Sequence, residues 1–188
     1  MGMRSFVGVA NDTENYYTLF MYVKDYLQEY YSSEPLNVLI NTFIISLGAS
    51  FQWVLMIFAI ISVSSVLIAC KIANVNKFKG LMLYVLLTYY FYTFNCMRQM
   101  TADAILLIGY AILTIEYYSK SKKILLYCLI VLLASSIHNS AMIAFVIVPI
   151  YYMNYKISFC NFTIIAIITL IAGVLPFAKG MVDTLSSM

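Results

Sequence analysis

Phe51 to Ala69 reads FQWVLMIFAIISVSSVLIA, nineteen residues without a single charge. A soluble amphipathic helix keeps a polar face toward water, and this stretch has none. Its length is close to the roughly 20 residues needed to cross the hydrocarbon core of a bilayer. Phe159 to Ala178 is equally free of charge. Across all 188 residues, 63% are apolar and 10% are charged, and the mean hydropathy is +0.90. Ordinary soluble domains do not have that composition. The chain is expected to be an all-α, polytopic integral membrane protein.

Outward from residue 51, apolar segments at 51–70, 80–97, 101–118, 124–138, 140–155 and 160–178 alternate with short polar breaks. They give about six expected transmembrane helices. Lys71, Lys77 and Lys79, then Lys120, Lys122 and Lys123, then Lys156 fall in every second break. The positive-inside rule therefore places those breaks in the cytoplasm. Seven of the eleven basic residues obey this one topology. Tyr89, Tyr90 and Tyr92 collect at one outer end and Tyr117, Tyr118, Tyr151, Tyr152 and Tyr155 at inner ends, as interfacial rings do.

The first 35 residues are then an outer loop, carrying Asp12, Glu14, Asp25, Glu29 and Glu34 against Arg4 and Lys24. Within it, NDTENYYTLFMYVKDYLQEYY places Tyr16, Phe20 and Val23 at helical spacing, the pattern of an amphipathic interfacial helix. In SSEPLNVLINTFIISLGAS, Ser33 can cap a helix, Pro35 suits its first turn, and Gly48 ends it. That run is too short to cross, so it is expected to lie at the outer surface or dip part way in. The chain reads as a single transmembrane domain over 1–188, with 1–35 the outer loop and 36–188 the membrane helices. An outward N-terminal loop normally needs an upstream segment to export it, so the sequence reads as a fragment of a longer chain.

Several function classes are excluded. The lysines form no run that would hold nucleic acid. Cys70, Cys96, Cys128 and Cys160 make no C-x-x-C, and one histidine cannot build a multi-histidine metal site. The cysteines read as small apolar fillers. The serine-hydrolase elbow, the zinc-protease helix and the phosphate-binding Gly-Lys loop are all absent.

Two polar constellations need a reason to exist. In FNCMRQMTADAILLIGYAIL (94–113), Arg98 falls at an outer membrane boundary, with Asn95 and Gln99 expected on its helical face and Asp103 one turn beyond Gln99. Simple snorkelling of Arg98, with Asp103 capping the next span, is the plainer explanation. In LLASSIHNSAMIAFVIVP (132–149), His138 follows small residues, and Ser135 would share a surface with His138 and Asn139 if the helix continued through them. A packing hydrogen bond is the plainer role for that histidine. Together the two blocks describe an outward pocket for an anionic lipid headgroup and a polar acceptor.

SSEPLNVLINTFI, FNCMRQMTADAILLIGYAIL and LLASSIHNSAMIAFVIVPIYY, in this order and spacing, resemble the EpsG-type, Wzy-like polysaccharide polymerases of bacteria. MRSFVGVANDTENYY resembles the family's first outer loop, except that Gly8 and Asp12 lie further apart than expected. The resemblance implies a glycosyltransferase of the bacterial cytoplasmic membrane. It would join oligosaccharide repeat units carried on polyprenyl pyrophosphate at the outer face, making O-antigen, capsule or exopolysaccharide, alongside other polysaccharide-assembly proteins. It further implies that Arg98 holds the departing pyrophosphate with help from Arg4, that Asn95 and Gln99 bind sugar hydroxyls or position Arg98, and that His138 or Asp12 accepts the proton of the attacking hydroxyl. No metal or cofactor is required. The rival readings are a transporter or flippase of lipid-linked sugars and an inactive truncated remnant.

Overall fold

The computed structural model describes residues 11–21, 34–93 and 95–152. The chain divides into two compact units, Met1–Val148 and Pro149–Met188, and the packing described below is that of the first. Its elements are α1 (Asn11–Met21), α2 (Pro35–Ser46), α3 (Phe51–Ile72), α4 (Lys77–Leu86), the single turn α5 (Tyr89–Tyr92), α6 (Met97–Leu113) and α7 (Lys120–Ser135). A 3-10 helix over Asn139–Val146 then leads into α8 (Ile147–Tyr152). The fold is all-α, with no strand among the described residues.

Local chemistry sets most of these boundaries. Pro35 opens α2, where its missing N–H is no loss. Gly48 closes the turn after α2 at φ +64, a conformation a side chain would resist. The Asn76 side chain accepts the N–H groups of Phe78 (2.9 Å) and Lys79 (3.2 Å) to start α4, and Ser119 accepts from Lys122 (3.4 Å) to start α7.

The charge-free stretch forms α3, 22 residues with a hydropathy of 2.5 in its most apolar window. At 1.5 Å per residue it is about 33 Å long, enough to cross a bilayer. It is the one helix among the described residues that is both long and apolar enough to do so. The expected span over 80–97 is not one helix. It breaks at Thr88, which takes φ +66, and resumes only as the turn α5. The expected 101–118 span starts earlier and ends earlier, at 97 and 113, and the expected 140–155 span is a 3-10 helix followed by a short α-helix. The 160–178 segment lies outside the described residues.

α3 and α6 run side by side in the same direction. The Ser62 and Thr101 hydroxyls meet at 2.8 Å, and Val66, Cys70 and Ala104 share an apolar cluster further down. Phe51, Val54, Leu55 and Phe58 of α3 and Met97, Ala102 and Ile105 of α6 all belong to the main core. α7 returns alongside α6, where Gly109 permits close approach: a Cβ there would lie 3.0 Å from the Tyr127 ring. The Tyr127 hydroxyl donates to the Ala144 carbonyl at 2.9 Å, tying α7 to the 3-10 helix. Tyr16 and Phe20, the apolar face expected at the membrane interface, turn onto this protein core, and the rings of Tyr17 and Phe20 contact Phe51. Val23 lies outside the described residues.

α2 and α7 meet end to end. The Leu36 and Asn37 N–H groups donate to the Ser136 carbonyl at 2.9 and 3.3 Å. Amide groups at the start of one helix thus use a carbonyl at the end of another, and neither end is left orphaned. α2 spans about 18 Å, confirming that it is too short to cross alone.

Close packing between α3 and α4 gives a test of this arrangement. A Cβ at Gly80 would lie 2.2 Å from Cys70 Sγ, so Gly80→Ala should destabilise the chain by about 1–3 kcal/mol, the usual range for overpacking. Unfolding measured in detergent should show at least half of that penalty vanish when the same change is made in a Cys70→Ala background. An undiminished penalty would mean that these helices do not meet here.

Candidate functional site

The junction between α2 and α7 carries the site. Glu34 occupies the position before α2, where a side chain usually caps the first N–H groups, yet it makes no capping bond. Ser136 has already taken the N–H groups of Leu36 and Asn37, which leaves the Glu34 carboxylate free to reach elsewhere. Oε2 accepts from Nη1 of Arg98 in the first turn of α6. Oε1 accepts from Nδ1 of His138 at 2.8 Å and from the Asn139 N–H at 3.2 Å. The Arg98 guanidinium lies 4.7 Å from the centroid of the Tyr16 ring, within cation–π range. Three chain segments meet at one carboxylate, and α1 joins them through the Arg98 guanidinium.

Burial raises the stakes of this contact. Side-chain exposure is 12% for Arg98 and 8% for Glu34, against 26% for His138. A buried ion pair that loses one partner leaves an uncompensated charge. Burial by itself disfavours ionised Glu34, but the His138 hydrogen bond, the Arg98 charge and the Asn139 N–H outweigh it and hold the carboxyl below the ordinary glutamate range. With Glu34 ionised, His138 Nδ1 bears the proton and donates, which fixes the orientation of the ring.

The expected partners of Arg98 and His138 are rearranged. Asn95 lies exposed in the turn before α6, and Gln99 is exposed on its first turn, so the polar stripe along one helical face is not formed. α7 stops at Ser135 and His138 is extended (φ −148, ψ 119). The shared Ser135–His138–Asn139 surface is therefore absent, and the Ser135 hydroxyl bonds back to Leu132 at 2.9 Å. Asp103 caps nothing, because α6 runs through it. It lines a separate, largely apolar cavity of about 760 Å³ between α3, α4 and α6, together with the Tyr84 ring. Asp12 lies in α1, and Arg4 lies outside the described residues. No group of three His, Cys, Asp or Glu side chains gathers as a metal site among the described residues.

Glu34 was the residue that the sequence did not single out. It looked like one of five acids in an outer loop. The available signal was its place before Pro35, which puts a carboxylate at a helix start, next to the positive end of the dipole. Asn37 and Asn41 follow it on the same face of α2, both buried, with Asn41 Nδ2 donating to Asn37 Oδ1 at 3.1 Å.

Depth follows from the packing. Thr101 is level with Ser62, so Arg98, three residues earlier, is level with about Phe58. That is roughly 10 Å along α3 from its first residue. Arg98 therefore lies about two helical turns in from the start of α3.

Because Glu34 titrates lower in the folded protein than in the unfolded chain, its contribution is complete above the unfolded glutamate value of about 4.3 and is lost as pH falls through its native value. Thermal unfolding of the chain in micelles should therefore show stability dropping below about pH 4.3, and Glu34→Gln should remove much of that pH-dependent part. Identical acid profiles for both proteins would contradict this electrostatic role.

A family model described as the EpsG family matches residues 1–188, the whole chain. No curated protein and no solved structure matches this chain. The three sequence blocks that suggested this family are the ones carrying Glu34, Arg98 and His138, and the Glu34 carboxylate bonds to both of the others. The chain belongs to the EpsG family, a Wzy-like polymerase-related family of membrane proteins tied to polysaccharide biosynthesis.

Proposed function

We propose that this chain is a multi-pass glycosyltransferase of the bacterial cytoplasmic membrane that joins oligosaccharide repeat units carried on polyprenyl pyrophosphate at its outer face. The observation that carries the reading is the bridge by which Glu34 holds both Arg98 and His138. In this reading α3 crosses the bilayer as a single helix, and the other apolar segments complete about six crossings, the one over 80–97 by the broken pair α4 and α5.

The reaction forms a bond between the anomeric carbon of one glycan and a hydroxyl oxygen of a second, and breaks the bond between that carbon and pyrophosphate. Arg98 offers paired N–H donors to the leaving pyrophosphate as its negative charge grows. His138 Nε2 accepts the proton of the attacking hydroxyl. Glu34 holds Nδ1–H, keeping the ring in the tautomer and orientation that this needs. In this reading Asn95, exposed just before α6, and Gln99, exposed on its first turn, bind sugar hydroxyls. Arg4 and Asp12 belong to the outer loop, and Tyr16 on α1 brings that loop to Arg98.

The position of Arg98, in from the start of α3, also suits a transporter of lipid-linked sugars, in which polar groups line a path through the membrane. The two readings separate on one assay. In a host lacking its own copy, chains carrying Arg98→Ala or His138→Ala should insert normally yet reduce long polymer on the carrier lipid by 10²-fold or more, the scale for losing an electrostatic or proton-transfer group. Normal polymer from both variants removes these roles. Movement of lipid-linked repeats across vesicles by the purified protein, with no joining, favours transport.

A further inference from the structure

The groups gathered at the junction are those that bind a phosphoryl oxygen. An arginine fork, a ring N–H and a backbone N–H converge, and a carboxylate of this chain already accepts from all three. Carboxylate and phosphate compete for the same donor geometry. Glu34 also stands on a part of the fold that can change partners. Its carbonyl accepts the first helical bond of α2, from the Val38 N–H at 3.1 Å, but its carboxylate caps nothing, that role having been taken by Ser136, and only two side-chain contacts and one backbone N–H hold the carboxylate end. A second place for it is close by. Asn37, one turn along α2, is 2% exposed, and its Nδ2 has no hydrogen-bond partner. Asn41 donates to Asn37 Oδ1, so the unsatisfied group is an N–H donor, suited to a carboxylate.

We infer that Glu34 is an internal competitor for the anion site: it occupies Arg98 when the site is empty, and a pyrophosphate group displaces it from Arg98 while it keeps its hold on His138. This rests on the reading of Arg98 as a pyrophosphate ligand. The exchange has two consequences. The site never holds an unpaired buried guanidinium, because one anion replaces another. The base is also coupled to the ligand. Once Arg98 turns to pyrophosphate, the carboxylate no longer shares its charge with a cation, so it accepts more strongly from Nδ1–H and holds the ring more firmly.

His138 is the only histidine in the chain, so ring-¹⁵N labelling gives one reporter. The full chain in nanodiscs is titrated with inorganic pyrophosphate, with affinity read by calorimetry and the His138 ring nitrogens by NMR. Glu34→Gln, which no longer competes as an anion, should bind pyrophosphate at least tenfold more tightly than the wild type. Arg98→Ala should not bind it. In the wild type the His138 Nδ1 signal should shift as pyrophosphate saturates, a readout that does not depend on any variant folding. Equal affinities for wild type and Glu34→Gln, both lost in Arg98→Ala, would overturn the competition while leaving Arg98 as the ligand. A saturated wild type with an unmoved Nδ1 signal would overturn it too. Binding that persists in Arg98→Ala, or no binding by any of the three proteins, would overturn the reading of Arg98 itself.

Discussion

One carboxylate, that of Glu34, decides how this apolar chain can hold an arginine away from water. Without it, Arg98 would be a largely buried cation at the N-terminal end of α6, the end of a helix dipole that disfavours positive charge. With it, the cluster is close to neutral: a guanidinium, a carboxylate and an imidazole, joined by hydrogen bonds and covered on one side by the Tyr16 ring. Low local polarity strengthens such contacts when all partners are present, and makes a missing partner expensive. The cluster therefore ties together segments far apart in sequence, α1, α2, α6 and the turn after α7.

The helices are interrupted where this cluster sits. α2 begins, α7 ends and α6 begins within reach of the same side chain, and the N–H groups at the start of α2 bond to a carbonyl at the end of α7. In a membrane protein, irregular backbone at depth is tolerated where protein covers it or where it lines a cavity. Discontinuous helices whose ends face a bound group are one known solution to placing polar chemistry inside an apolar structure. Here the exchange between Leu36, Asn37 and Ser136 is what releases Glu34 from capping. Local backbone bonding and the polar site are thus the same arrangement seen at two scales.

Much of this was visible in the sequence, and the rest was hidden for physical reasons. The absence of charge from Phe51 to Ala69 was enough to identify α3, and Pro35 and Gly48 marked the limits of α2. Arg98 and His138 stood out because a polar group in an apolar segment needs a reason. Composition could not show the break at Thr88, since YVLLTYYFY is uniformly apolar and aromatic and only its backbone departs from helix. Helical spacing misassigned the companions of both residues, because Asn95 precedes α6 and His138 follows α7, where the period of 3.6 no longer applies. Glu34 was lost among neighbouring acids, since a contact across 64 residues to Arg98 and 104 to His138 leaves no local pattern.

Family membership and the convergence of three sequence blocks on one carboxylate fit one account, which depends on Glu34 and Arg98 acting as a pair. A double-mutant cycle on their unfolding in detergent, using Glu34→Gln, Arg98→Gln and the two together, measures that dependence directly. The account predicts that the double variant is less destabilised than the sum of the single ones, with a coupling of about 1–3 kcal/mol. Additive effects within about 0.5 kcal/mol would contradict it.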